Sequence, residues 1–200
     1  MIRTIIFAKA PHAGFAKTRL IPALGEEGAA RLAHRMLQHT LDGAISAAIG
    51  PIELCVTPGI ASPFWAGTEV PQAVEMTEQG EGDLGARLAR AAQRALEKDR
   101  AVLLIGADCI EMSAKILCEA AAALECRDAV IYPATDGGYV LLGINKFHAS
   151  LFSGIAWSTG SVASDTVKRI HALGWSLETG ALLHDVDEPD DLVHLPADWL

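Results

Sequence analysis

Two rhythms of apolar residues alternate along this chain. Short continuous apolar runs, rich in β-branched residues, give way to longer stretches where apolar side chains return at helical spacing. The runs predict strands at Thr4–Phe7, Ile52–Val56, Ala73–Met76, Ala101–Ile105, Ala129–Tyr132, Tyr139–Leu142, Trp175–Leu177 and Leu182–Val186. The helical spacing predicts a long helix from near Glu26, with Ala29, Ala33, Met36, Leu37, Thr40, Leu41, Ala44 and Ala48 on one face, closed by Gly50-Pro51. A second helix runs from an Asp83 N-cap to Lys98 with Leu84, Leu88, Ala91, Ala92 and Ala95 inward. A third is capped by Ser113 and buries Ile116, Leu117, Ala120, Ala121 and Leu124, and a fourth spans about Ser161 to Leu173. Ser62–Ala66 reads as a short helix and Phe147–Thr159 as irregular.

Strands alternating with helices imply an α/β fold with a mainly parallel sheet. The unbroken apolar run Ala101–Ile105 marks a central strand covered on both faces. No repeat, linker or low-complexity segment interrupts the 200 residues, so the expectation is a single domain over 1–200.

Charge changes the picture at one place. The chain carries a net charge of −9, which argues against a nucleic-acid partner. Yet the loop leaving the first strand holds Lys9, Lys17 and Arg19 and no carboxylate, with Pro11 and Gly14 breaking regular structure. Cations on a loop after the first strand point to an anion site, and Gly14 would let the backbone approach a phosphate. The bland alternative is a solvated loop whose basic residues pair with the acidic surface.

In open α/β sheets ligands bind beyond the carboxyl ends of the strands. Asp108, Asp136 and Asp187 all fall there, with Asp108 behind the small residues Gly106 and Ala107. A carboxylate at the end of a buried strand is costly unless paired or metal-bound. Mg²⁺ is held by one or two carboxylates together with substrate phosphate oxygens, so Asp108 and Asp187 fit a metal and Asp136 is a third candidate. Taken singly, Asp108 is as readily a helix N-cap and Asp187 as readily a salt-bridge partner.

Gly80, Gly82 and Gly85 form a G-x-G-x-x-G before a helix, with Asp108 following Gly85 by 23 residues, as in a dinucleotide fingerprint. Glu81 and Asp83 would set carboxylates beside the pyrophosphate, and the preceding strand is weak, so an NAD-binding oxidoreductase is the lesser reading. The cysteines Cys55, Cys109, Cys118 and Cys126 show no C-x-x-C spacing and are expected to be reduced. No apolar run reaches the length of a membrane span and no signal-peptide pattern is present, so the expectation is a cytoplasmic protein with no membrane partner.

Several motifs, in order, resemble a known family: K-A-P-x-x-G-x-x-K-T-R-L from Lys9, Q-G-E-G-D-L-G-x-R-L from Gln79, G-A-D-C at Asp108, P-A-T-D-G-G-Y-V-L-L-G around Asp136, and D-V-D-E-P-D-D-L ending at Leu192. They are similar to the bacterial DUF2064 transferases of the nucleotide-diphospho-sugar transferase superfamily, which includes molybdenum-cofactor and phospholactate guanylyltransferases. The resemblance implies a three-layer α/β/α, GT-A-like and Rossmann-like fold with a mainly parallel mixed sheet. It implies a transferase acting on a nucleoside triphosphate or nucleotide-sugar and a small acceptor, with Mg²⁺ or Mn²⁺ on Asp108 and Asp187. Lys9, Pro11, Gly14, Lys17 and Arg19 fall on its phosphate loop, with Lys17, Arg19 and Asp108 as catalytic residues. Gln79, Gly82, Asp83 and Gly85 would complete the nucleotide site, and Asp136, Gly137, Gly138 and Trp157 the acceptor site. A homodimer is compatible with this reading. Ile110 stands where the family often has proline, and where a strict D-x-D motif would have its second acid. Nucleotidyl and glycosyl transfer both remain open, and the alternative from another class is a non-catalytic nucleotide-binding module of the same fold.

Overall fold

Strand periodicity sorts the apolar side chains between the two faces of one sheet. Along β4 (Ala101–Gly106), Ala101, Leu103 and Ile105 join one buried cluster and Val102 and Leu104 join the other. In the computed structural model, which describes residues 1–199, β4 is flanked by β1 (Ile2–Lys9), β2 (Ile52–Thr57), β3 (Val74–Glu78), β5 (Ala129–Pro133), β6 (Tyr139–Ile144) and β7 (Leu177–Thr179). The order across this seven-stranded sheet is β3-β2-β1-β4-β6-β5-β7. Only β6 runs antiparallel to its neighbours; the other ladders are parallel.

Helices cover both faces. Leu37, Leu41 and Ala44 of α1 (Ile21–Ala47) and Leu117, Ala120 and Leu124 of α3 (Ala114–Cys126) pack in the cluster that holds Leu103. Leu88, Ala91, Ala92 and Ala95 of α2 (Leu84–Leu96) and Ile170 of α4 (Val162–Ala172) pack in the cluster that holds Leu104. This is the three-layer α/β/α arrangement with a mainly parallel mixed sheet. Asp83 and Ser113 cap α2 and α3 by accepting from Ala86 N and Ile116 N. No described helix is long and apolar enough to cross a membrane.

A third cluster fixes the C-terminal segment. Val186 and Leu195 bury against Leu20, Ala29, Leu32 and Met36, so the residues around Asp187 are held against the start of α1. At the opposite end of the sheet the buried Glu53 is satisfied by Arg94, by Arg3 at 3.5 Å and by Thr77 Oγ1 at 2.6 Å.

Four expectations change, the first being the strand expected at Trp175–Leu177, which runs instead over Leu177–Thr179. The long helix begins at Ile21 rather than near Glu26, because a break at Gly25 joins a short leading turn to it. Ser62–Ala66 shortens to a 3-10 turn at Pro63–Trp65. Leu182–Val186 is not a strand: it passes the ends of β4 and β5 and makes only single bridges, Cys109 with Asp185 and Ala134 with Leu183. That path carries Asp185 and Asp187 across the ends of the sheet.

Leu103 is fully buried in the central strand. Leu103→Ala is expected to cost about 2–5 kcal/mol through lost contacts and an unfilled cavity, read from urea unfolding. A loss below about 1 kcal/mol would show that β4 is not packed on the face it shares with α1 and α3. Cys55 and Cys109 are buried, with the Cys109 thiol pushed up to about 11 chiefly by burial, whereas Cys118 and Cys126 are exposed. Thiol titration of the native protein is therefore expected to count two fast groups, and the unfolded protein four without reductant. A lower count after unfolding would reveal a disulfide.

Candidate functional site

At the carboxyl ends of β1 and β4 one ammonium group organises the surface. Lys17 has left-handed backbone (φ 48), an uncommon setting for a residue with a side chain. Its side chain is buried, and Nζ donates to Val186 O at 2.7 Å and to Asp187 Oδ1 at 2.8 Å. The same Nζ lies 2.5 Å from Asp108 Oδ1. Burial works against the Lys17 charge, but the two carboxylates outweigh it and raise the ammonium above its ordinary range. Burial likewise opposes the Asp187 carboxylate, yet Lys17, Arg19 and Lys9 hold it below the usual range.

Around this bridge opens a cavity of about 740 Å³. Lys9, the last residue of β1, and Lys17 and Arg19 from the loop after it line one side, and Asp108 lines it from just beyond β4. Asp136, Gly138 and Tyr139 enter from the β5–β6 turn, Trp157 and Thr159 from the loop before α4, and Asp185 and Asp187 from the C-terminal segment. Gln79, Gly82, Asp83 and Arg87 close the side after β3. Cations meet carboxylates in this cavity, and apolar side chains such as Phe7, Leu84, Leu104 and Trp157 complete its walls. Leu84, expected inward on α2, is 43% exposed beside this cavity.

The sequence profile of a family described as "Uncharacterized protein conserved in bacteria (DUF2064)" matches residues 40–159, 120 of the 200. The chain belongs to the DUF2064 family. Among solved structures it is similar to a protein of Desulfovibrio desulfuricans G20, provisionally named a nucleotide-diphospho-sugar transferase, at 31% identity over 96% of this chain and 84% of that one, with a TM-score of 0.88. A nucleotidyl transferase from Methanothermobacter thermautotroptrophicus shares the fold at 16% identity, covering 100% of this chain and 97% of that one, TM-score 0.65. The Mycobacterium tuberculosis H37Rv protein Rv0371C, solved in complex with manganese, shares it at 19% identity over 97% of each chain, TM-score 0.55. No curated protein matches the chain.

Not every residue singled out in this DUF2064 sequence reaches the cavity. Pro11, Gly14, Gly85 and Gly137 do not line it. A side chain on Gly14 would lie 3.7 Å from the Glu26 carboxylate, a poor neighbour for a phosphate. Gly85 and Gly137 are there for close packing: a Cβ on Gly85 would overlap the Phe152 carbonyl oxygen, and one on Gly137 the Gly160 carbonyl oxygen. Gln79 lines the cavity, but its amide is in use, with Nε2 donating to Ala8 O at 3.2 Å and Cys55 O at 3.0 Å and Oε1 accepting from Arg87 at 3.2 Å. Gln79 therefore ties the ends of β1 and β2 together and aims Arg87. Gly80 to Gly82 is held by Arg90 on the Gln79 and Glu81 carbonyls and by Arg87 Nε on Gly82 O, and Asp83 places a carboxylate at the start of α2. That is no cradle for a dinucleotide pyrophosphate.

Lys17 is also differently engaged from a phosphate-binding lysine, since three protein oxygens surround its ammonium. Sequence reasoning missed Arg87 and Asp185. The second aspartate of D-V-D was visible as Asp187, while Asp185 lies two residues earlier at a bridge that no periodicity reveals. Burial and the carboxylates of Asp136, Asp187 and Asp108 raise Asp185 to about 6. Among the described residues no group of three or more His, Cys, Asp or Glu side chains is placed to hold a metal by itself.

Lys17→Met keeps the aliphatic stem but leaves the two carboxylates without their shared counter-charge. Both carboxylates are about half exposed, so water offsets part of the loss and the expected cost is about 1–3 kcal/mol in chemical unfolding. A variant as stable as the parent would show that the bridge contributes nothing to folding.

Proposed function

We propose that this protein is a divalent-metal-dependent transferase that takes a nucleotide-activated substrate, a nucleoside triphosphate or a nucleotide-sugar, and passes part of it to a small acceptor. The observation that carries this is the meeting of the Lys9–Arg19 loop with Asp108 and Asp187 in one cavity at the ends of β1 and β4. Transferase-type neighbours of the same fold support the class.

The donor set fits a hard cation of the Mg²⁺ or Mn²⁺ kind. Asp108 and Asp187 offer carboxylate oxygens on one wall, held in place by Lys17, and two protein carboxylates with substrate phosphate completing the sphere is the usual Mg²⁺ arrangement. When bound there, such an ion would supply charge neutralisation at the phosphate oxygens. Lys17 acts as a positioning residue for the two carboxylates. Lys9 can turn to the phosphates, and so can the mostly exposed Arg19 by giving up its 3.6 Å surface pairing with Glu188, to stabilise the charge that grows on the leaving group. Gly82, Asp83 and Arg87 line the side proposed for the base, and Asp136, Gly138 and Trp157 the acceptor side. No protein nucleophile is required, because direct transfer needs positioning and electrostatics. A single domain working in the cytoplasm, alone or as a homodimer, is part of the same proposal.

A thermal-shift screen of nucleoside triphosphates and nucleotide-sugars, with and without Mg²⁺, tests it. At least one is expected to stabilise the protein only with the metal, and Asp108→Ala is expected to remove that dependence while remaining folded. Arg19→Ala is expected to weaken the triphosphate roughly ten- to a hundredfold and the matching nucleoside little, as for loss of one charge-assisted contact. Equal weakening of both would contradict the phosphate role, and no metal-dependent shift with any nucleotide would overturn the function.

A further inference from the structure

We infer that the Lys17 ammonium stands in the cation position shared by Asp108 and Asp187, so that Lys17 must give up this place to a metal ion and pass to the substrate phosphates. The inference rests on the transferase reading above and deepens it, because it makes metal and phosphate bind as one event.

The two carboxylates define the position. Asp108 Oδ1 and Asp187 Oδ1 approach Nζ to 2.5 Å and 2.8 Å, so a charged group already fills the space between them. Val186 O at 2.7 Å takes the third ammonium proton. An ion bridging the same two oxygens would coincide with Nζ. An ion beside it would meet its charge directly, because the Lys17 side chain is only 6% exposed and burial leaves such repulsion little screened.

A second observation shows that the place can change hands. Lys17 orients the two side chains, but the segments that carry them are held independently. Val186 N donates to Asp108 O at 2.9 Å, which ties the segments together by their backbones, and Cys109 pairs with Asp185 beside that bond. Asp187 N donates to Asp191 Oδ2 at 2.8 Å, and Val186 is buried in the cluster of Leu20 and Met36. The ammonium therefore supplies charge to a frame that other contacts build, and a different cation can supply it instead.

Lys17 also has a destination. Lys17, Thr18 and Arg19 all line the cavity proposed for the phosphates. The lysine stem is unbranched, and its ammonium is a point charge that exchanges one set of oxygens for another. Metal alone would leave a buried ammonium with Val186 O and no carboxylate. A triphosphate alone would meet an ammonium already held by two carboxylates. Together they satisfy every group: the aspartates keep a cation, and phosphate oxygens receive Lys17.

The probe is Mn²⁺ without nucleotide, its free fraction read by electron paramagnetic resonance. Wild type is compared with Lys17→Met, with Lys17→Gln, whose amide still donates to an oxygen, and with Arg19→Met, which removes a neighbouring charge from outside the bridge. Both Lys17 variants, folded by circular dichroism, are expected to bind Mn²⁺ at least about tenfold tighter than wild type. Arg19→Met is expected to gain less than about threefold, as for an exposed, screened charge. Adding Asp108→Asn to Lys17→Met is expected to abolish the gain. If Lys17 serves only to hold the carboxylates in place, its loss weakens Mn²⁺ binding, and unchanged or weaker binding by the Lys17 variants overturns the inference. An equal gain in Arg19→Met, or a gain that survives Asp108→Asn, also overturns it. So does micromolar Mn²⁺ binding to wild type without nucleotide, which needs no variant to fold. If wild type shows no metal-dependent nucleotide binding in the thermal-shift screen, the transferase reading fails and the inference falls with it. If wild type binds metal and nucleotide together while the Lys17 variants gain no Mn²⁺ affinity, only the inference fails.

Discussion

A lysine with three oxygens around it holds the business end of this sheet together. Lys17 reaches from the loop after β1 to Asp108 after β4 and to Asp187 and Val186 on the C-terminal segment. These segments are distant in sequence, and each ends a different run of the fold. Without a cation among them the two carboxylates would repel and would each lose water with no return. With it, the C-terminal segment is drawn over the ends of the strands, where the packing of Val186 and Leu195 on α1 secures it. The same ammonium keeps two carboxylates pre-positioned on one wall of a cavity.

The rest of the site follows from where the parallel strands stop. β1 and β4 are central neighbours, so the loops after them must meet, and β6, entering antiparallel beside β4, brings the turn before it to the same end. Glycines at two crossings allow the approach: Gly85 lets the start of α2 touch the Phe152–Trp157 loop, and Gly137 lets the β5–β6 turn touch Gly160. The outcome is a cavity with cations on one flank and unpaired carboxylates on the other.

Much of this was legible in the chain. The apolar run Ala101–Ile105 marked the central strand, the loop cations marked one flank, and Asp108, Asp136 and Asp187 marked the strand ends. These signals are local, since each rests on neighbours in sequence. What escaped depends on tertiary partners. Leu182–Val186 has the composition of a strand but meets β4 and β5 only at their ends, so it makes bridges and no ladder. Gln79 looked like a base reader because of the motif around it, yet the carbonyls of Ala8 and Cys55 take its amide hydrogens. Lys17 looked like Lys9 and Arg19 in the sequence, and only the fold shows that it is the buried one of the three, with left-handed backbone and three oxygens around its ammonium.

The most direct test of the account is a crystal structure of the protein grown with Mn²⁺ and a nucleoside triphosphate, with the metal located by its anomalous signal. The account predicts a manganese peak within coordination distance of Asp108 and Asp187, about 2.0–2.6 Å, with the phosphates between it and the Lys9–Arg19 loop. Nucleotide bound at Gly80–Gly85 with its phosphates on the start of α2, or manganese found away from both aspartates, would contradict it.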